Sequence, residues 1–109
     1  MNEKTLHDAC AETGATRRAV QGYEKAGLVC AARKNKYGYL LYDEAGTERI
    51  RTIRFFQKIG FSLKEIRSLI DAPADRQKAV LRAQMEKLRA HREEVSGLIG
   101  KIEAYIAKL

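Results

Sequence analysis

Several residue types are scarce in this sequence of 109 residues, which has no tryptophan, one proline, two cysteines and two histidines. Cys10 and Cys30 are too few for a disulfide framework and lack CxxC spacing, so we interpret Cys10 as a small core side chain on a helix face and Cys30 as a semi-buried one, with a redox role left open. No run of about 18 apolar residues is present, which predicts no transmembrane helix. The N-terminal residues lack the apolar segment of a secretory signal, and we therefore expect a cytoplasmic protein without membrane contact.

The side-chain arrangements typical of enzymes are also missing. The sequence shows no carboxylate pair at catalytic spacing, no serine–histidine–aspartate set, no phosphate-binding glycine loop and no cluster of metal ligands. His7 and His91 lie far apart in the sequence and are interpreted as ordinary surface residues. The sequence therefore predicts a protein that is not an enzyme and that needs no cofactor.

Positive charge is present in excess. Lys and Arg number 21 against 14 Asp and Glu, which gives a formal net charge of +7 and a pI near 9.6. The excess is concentrated in residues 16–42, which contain six basic residues and one acid, Glu24. Clustered basic charge at such a pI is typical of nucleic-acid binding, although basic surfaces also occur on proteins that bind membranes or ribosomes.

Two short helices joined by a tight turn are predicted near the N-terminus. Thr5 caps the first helix, and Thr13-Gly14 ends it. Thr16 caps a second helix that continues to about Ala26 and stops at Gly27. This pattern is a helix-turn-helix, in which the N-terminal residues of the second helix enter the major groove of DNA.

The second helix is expected to read the DNA sequence. Its exposed positions hold Thr16, Arg17, Arg18 and Gln21, while Tyr23 lies on the inner face. Arginine can pair with guanine through two hydrogen bonds, and glutamine can do so with adenine. Because the helix macrodipole disfavours cations at an N-terminus, two arginines there indicate a nearby phosphate. The alternative interpretation is that both arginines are simply solvated.

A basic hairpin is predicted after this helix, with its turn at residues 35–38. A hairpin beside a reading helix is a wing, whose side chains contact phosphates and fix the register without reading bases. We expect Tyr39 to face DNA and Tyr42 to pack in the core. The basic residues assigned to the wing are Arg33, Lys34 and Lys36.

Three further helices are predicted after the hairpin. Asp43 caps a third helix with an apolar stripe that ends at Gly60, and Ser62 with Glu65 forms the capping box of a fourth. A breaker at residues 71–74 then separates a head domain, residues 1–70, from a long helix at residues 75–109. The fold class is therefore mainly α, with one small β-hairpin.

The long helix carries a heptad repeat that predicts a coiled coil. Eight of its nine a and d positions are apolar, and Arg92 is the exception. The apolar positions, which we assign to dimerisation, are Leu81, Met85, Leu88, Val95, Ile99, Ile102, Ile106 and Leu109. A stripe roughly 50 Å long exceeds what a head of 70 residues can cover, so a second chain is required.

The segments GATRRAVQGYEKAGLV, YGYLLYDE and IRTIRFFQKIGFSLKEIRSLI together resemble the MerR (mercury-resistance regulator) family of bacterial transcription factors, over residues 4–70. The resemblance implies a winged helix-turn-helix head and a homodimer held by an antiparallel coiled coil. It also implies binding to a palindromic promoter spacer, regulation by bending and untwisting that spacer, and only an indirect effect on RNA polymerase. By position, it implies phosphate contacts for Tyr23 and Tyr39 and backbone contacts for Gln57 and Lys58.

Three departures from the family pattern affect these contacts. The family usually has Arg-Tyr-Tyr-Glu where residues 21–24 read Gln-Gly-Tyr-Glu, an Arg where Leu40 stands, and often a Lys where Gln57 stands. The cations expected to compensate are Arg18, Lys34, Lys36 and Lys58.

No effector is evident from the sequence. Metal-sensing members of the family have cysteines at and beyond the end of the dimer helix, whereas no cysteine follows Cys30 here. The linker and coil resemble the multidrug-responsive branch, whose effector domain is absent from these residues. The chain is either a short stand-alone member or the DNA-binding part of a longer one. Two other functions stay open, namely an excisionase-like DNA-bending protein and a coiled-coil interaction module with a degenerate head.

Overall fold

The computed structural model describes residues 3–109, in which five helices accompany a small three-stranded sheet. The helices are α1 (Leu6–Thr13), α2 (Arg17–Lys25), α3 (Glu44–Lys58), α4 (Leu63–Leu69) and α5 (Ala74–Ala107). The strands are β1 (Lys4–Thr5), β2 (Arg33–Lys34) and β3 (Leu40–Tyr42). The mainly helical fold class predicted from the sequence is confirmed.

The chain divides into two compact units, a head that ends at Asp71 and a C-terminal unit, Ala72–Leu109. The assignment of residues 1–70 to DNA binding and of residues 75–109 to dimerisation stays a prediction. Residues 1 and 2 of the head lie outside the described part of the chain.

Side-chain caps define the starts of the first four helices at the predicted residues. In each case a side-chain oxygen accepts a backbone N–H of the first turn, which contributes about 1 kcal/mol per cap. The caps are Thr5, Thr16, Asp43 and Ser62. Ser62 and Glu65 form both bonds of a capping box, at 3.2 and 2.9 Å. Local sequence chemistry therefore sets where these helices begin.

The end of α2 is set by Gly27, which has a φ of 74° and so favours glycine. The N–H of the next residue, Leu28, donates to the carbonyl of Tyr23 at 2.9 Å and closes the last turn. The predicted stop of the helix is confirmed.

The wing, which consists of β2, β3 and the turn between them, is present as predicted. The sheet order is β1-β3-β2, and all pairings are antiparallel. Strand β1 pairs Thr5 with Leu41 on the other edge of β3. The sequence does not indicate β1, because two residues are too few for an alternating pattern.

The core of the head is formed by one face of each helix together with β3. Ile50, Ile53 and Ile66 are fully buried, and Val20 and Tyr23 bury the inner face of α2. Tyr42 is 1% exposed, which confirms its assignment to the core. Cys10, which the sequence predicts in the core, is only half-buried, and this partial burial raises the pKa of its thiol. Cys30 is exposed, so its predicted partial burial is wrong: it lies in the irregular segment after α2, where no element covers it.

Helix α5 has no buried residue within a single chain. Leu81 is half-buried, and the other seven apolar residues assigned to dimerisation are 39–90% exposed. A continuous row of large apolar side chains in water is unusual for a monomer. Within residues 3–109, no helix is long and apolar enough to cross a membrane.

Candidate nucleic-acid interface

Two phenol hydrogen bonds hold α2 between α3 and the wing. The hydroxyl of Tyr23 donates to Oε1 of Gln57 at 2.7 Å, and the hydroxyl of Tyr42 donates to the carboxylate of Glu24. Burial raises the pKa of both phenols, and the adjacent Glu24 raises that of Tyr42 further. Both hydroxyls therefore stay protonated at neutral pH and act as donors that fix α2 from two sides.

Arg49 ties the end of α2 to the end of the head. Its Nε donates to the carbonyl of Leu28 at 2.5 Å, and its two terminal nitrogens donate to both carboxylate oxygens of Asp71 at 2.7 and 2.9 Å. The hydrogen bonds from Arg49 lower the pKa of the Asp71 carboxyl. No local pattern in the sequence indicates this contact, because it joins three distant segments.

The outer face of α2 presents the side chains expected to read DNA. Arg17, Arg18 and Gln21 are exposed, and Thr16 is exposed while its hydroxyl caps the helix by accepting the N–H of Ala19 at 3.0 Å. The predicted contact residues at the N-terminus of α2 thus face solvent.

The N-terminus of α2 and the end of α3 line the same recess, which has a volume of about 310 Å³. Thr16, Gln57 and Lys58 all line this recess, so three residues that the sequence predicts to contact DNA lie close together. Arg54 lines it too, with its guanidinium carbon 3.5 Å from where a Cβ of Gly14 would lie. The sequence analysis missed Arg54, whose place is set by helix packing and not by a local motif.

The wing contributes a second part of the same surface. Tyr39 is 62% exposed, and it lines a recess of about 370 Å³ together with Arg17. Lys34 and Lys36 are exposed, and Nζ of Lys36 lies 5.2 Å from the ring centre of Tyr37. The wing and the start of α2 therefore meet at this recess.

Besides the capping Thr16, three predicted contact residues are already engaged within the chain, namely Arg33, Tyr23 and Gln57. The guanidinium of Arg33 forms an ion pair with Glu3, with its terminal nitrogen 2.7 Å from the carboxylate. Tyr23 is only 2% exposed, and its hydroxyl is bonded to Gln57. The DNA contacts of these three residues stay predictions.

Gly22 lies in the middle of α2, where the family resemblance predicts a tyrosine. A Cβ at this position would meet no atom within 4 Å, so no contact in the chain explains the glycine. The same is true of Gly97 and Gly100 in α5.

Two family models together match almost the whole chain. A model described as "MerR HTH family regulatory protein" matches residues 4–73, and one described as "MerR, DNA binding" matches residues 47–109. The chain belongs to the MerR family.

Curated MerR-type relatives are much longer than this chain. It is 33% identical over 91 residues to the transcriptional activator mta of Bacillus subtilis, an alignment that covers 84% of this chain and 35% of mta. It is also 33% identical over 94 residues to the transcriptional activator TipA of Streptomyces coelicolor, covering 86% of this chain and 34% of TipA. The chain thus spans about a third of these relatives.

Among solved structures, the N-terminal part of the same Bacillus subtilis protein, a multidrug transporter activator, has a MerR head and helix like this one. The TM-score is 0.74 at 29% identity, and the match covers 94% of this chain and 97% of that structure. These comparisons confirm the predicted family. They also agree with the prediction that the chain is not an enzyme, since the matched relatives are transcriptional activators.

Proposed function

We propose that this MerR-family chain is a sequence-specific transcriptional regulator that acts as a homodimer in the bacterial cytoplasm. Each head binds one half of a palindromic promoter spacer, and the dimer regulates transcription by bending and untwisting that spacer, so that RNA polymerase is affected only indirectly.

One observation carries the DNA-binding part of this proposal. Exposed cations on α2, on the wing and at the end of α3 are available for DNA phosphates to neutralise, and they are Arg17, Arg18, Lys34, Lys36 and Lys58. Two of them line the recesses at the start of α2, Arg17 beside the wing and Lys58 beside the end of α3. Tyr23 and Tyr42 hold α2 in place before DNA arrives, so the reading helix needs little reorganisation.

Binding to DNA from the chain's own promoter should be tight, selective and steeply dependent on salt. Each neutralised phosphate contributes about −0.9 to the log–log salt slope, so five cations in each of two heads set a limit near −9. Fluorescence anisotropy over a salt series, with a scrambled duplex as control, measures this slope. A shallow slope without preference for the promoter duplex would reject the proposal in favour of a coiled-coil interaction module.

Replacing Arg18 by Ala should weaken binding to the promoter site roughly tenfold or more, because a bidentate pair with guanine contributes about 1–3 kcal/mol in each half-site. Anisotropy at moderate salt measures the change. Arg76→Ala is the matched control, since it removes the same charge from an exposed position of α5. Equal affinities for Arg18→Ala and the unmodified chain would remove Arg18 from the interface.

A further inference from the structure

His7 lines the recess at which the wing and the start of α2 meet, together with Arg17 and Tyr39. We propose that His7 is a further DNA-contacting residue, which binds a backbone phosphate in its charged form and makes DNA binding stronger as the pH falls. The proposal deepens the DNA-binding function proposed above and rests on it. From the sequence alone, His7 is interpreted only as an ordinary surface residue.

The register of the small sheet brings His7 to this recess. Strand β1 pairs Thr5 antiparallel with Leu41, so the chain after Thr5 runs alongside the residues that precede Leu41. His7 follows Thr5 by two positions and Tyr39 precedes Leu41 by two, and both line the recess. His7 is exposed, and its imidazole has no hydrogen bond or ion pair with any of residues 3–109. The side chain is therefore available to a ligand.

Arg17 supplies a permanent positive charge to the same recess. Burial raises the pKa of the Cys10 thiol, and Arg17 opposes that shift, so the guanidinium lies near α1. Cys10 follows His7 by three positions, which puts the two residues on one side of α1. Two cations that share a site repel each other, and a phosphate between them removes this repulsion. Bound DNA therefore favours the charged form of His7.

The other lining residues suit one nucleotide of a DNA strand. The recess has a volume of about 370 Å³, and Leu6 and Leu40 give it an apolar wall against which a deoxyribose can pack. Leu40 stands where the family pattern has an arginine, so the permanent cation of that pattern is missing from the wing. His7 supplies a positive charge at this place, and that charge depends on pH.

Histidine is the side chain that ordinarily changes its charge between pH 5 and 8. The chain has two, and His91 lies in α5, outside the head. Burial keeps the Cys10 thiol neutral by raising its pKa, and the other side-chain types around His7 ordinarily keep their charge between pH 6 and 7.5. The titratable groups that line the recess with His7, or flank it on α1 and β1, are Arg17, Tyr39, Asp8, Cys10 and Lys4.

The affinity for the promoter duplex should rise about tenfold from pH 7.5 to pH 6, because each head of the dimer takes up part of a proton when it binds. Fluorescence anisotropy at constant ionic strength measures this change. His7→Gln keeps a polar side chain that does not titrate, so its affinity should stay constant over this range. His91→Gln is the matched control and should retain the pH dependence of the unmodified chain.

The salt dependence of binding provides a second readout. One more neutralised phosphate in each of two heads should make the log–log salt slope steeper by up to about 1.8 at pH 6 than at pH 7.5. His7→Arg carries its charge at both pH values, so its affinity should be high and its slope steep at both. Since His7 is exposed, neither variant should alter the fold of the head.

An affinity of the unmodified chain that does not change with pH would overturn the assignment of His7. A pH dependence that survives in His7→Gln, or that disappears in His91→Gln, would overturn it as well. A chain that shows no preference for the promoter duplex at either pH would instead reject the DNA-binding function itself, so the two failures are distinguishable.

Discussion

Ile99→Glu should convert the dimer to monomers and lower the affinity for a promoter with two half-sites by about a hundredfold or more. Ile99 is 53% exposed in the single chain and occupies an a position of α5, so dimerisation would bury the new carboxylate without a partner. Two linked heads bind about 10²- to 10⁴-fold more tightly than one, and this gain disappears in the monomer.

Sedimentation measures the oligomeric state of this variant, and anisotropy measures its affinity for DNA. Ala104→Glu is the control, because it introduces the same charge at an exposed position of the same helix, outside the a and d positions. A dimeric Ile99→Glu chain, or equal losses of affinity in both variants, would contradict the assignment of the stripe to dimerisation.

Ile53→Ala should lower the free energy of unfolding of the head by about 2–5 kcal/mol, since it removes a fully buried side chain from the middle of α3 and leaves a cavity. Phe55→Ala is the control on the same helix. Phe55 is 54% exposed, with its ring centre 6.0 Å from that of Phe56, so its loss should cost less than about 1 kcal/mol.

Urea unfolding at one fixed protein concentration measures both variants, because the stability of a dimer depends on concentration. Similar losses in the two variants would show that α3 is not anchored through its buried face.

Local signals in the sequence predict the helix boundaries well. A cap needs only a short polar side chain and a nearby N–H, so Thr16 and Ser62 identify the starts of α2 and α4 without knowledge of the rest of the fold. Similarly, Gly27 identifies the end of α2. The assignments of Tyr42 to the core and Tyr39 to the surface agree with their exposures, but strand alternation does not explain them, because Tyr39 lies outside β3 and the adjacent Leu41 and Tyr42 are both buried.

Contacts between distant segments could not be predicted in the same way. The bonds of Arg49 to Leu28 and Asp71, and the ion pair of Arg33 with Glu3, join residues that lie 21 to 30 positions apart. No periodicity or cap specifies such pairs, because they depend on how the completed helices and strands pack. For this reason, the sequence indicates Arg33 only as a basic residue of the wing and does not indicate the contacts of Arg49.

The tip of the wing has a consequence for the entropy of binding. Oδ1 of Asn35 accepts hydrogen bonds from the backbone N–H groups of Tyr37 and Tyr39 at 2.9 and 3.1 Å. The backbone N–H of Asn35 donates to the carbonyl of Tyr39 at 2.9 Å. Ordering a free backbone costs about 1–2 kcal/mol per residue. Since one asparagine already orders this turn in the unbound chain, the entropy cost of fixing the backbone around Lys36 is met during folding and would not be added when a ligand binds.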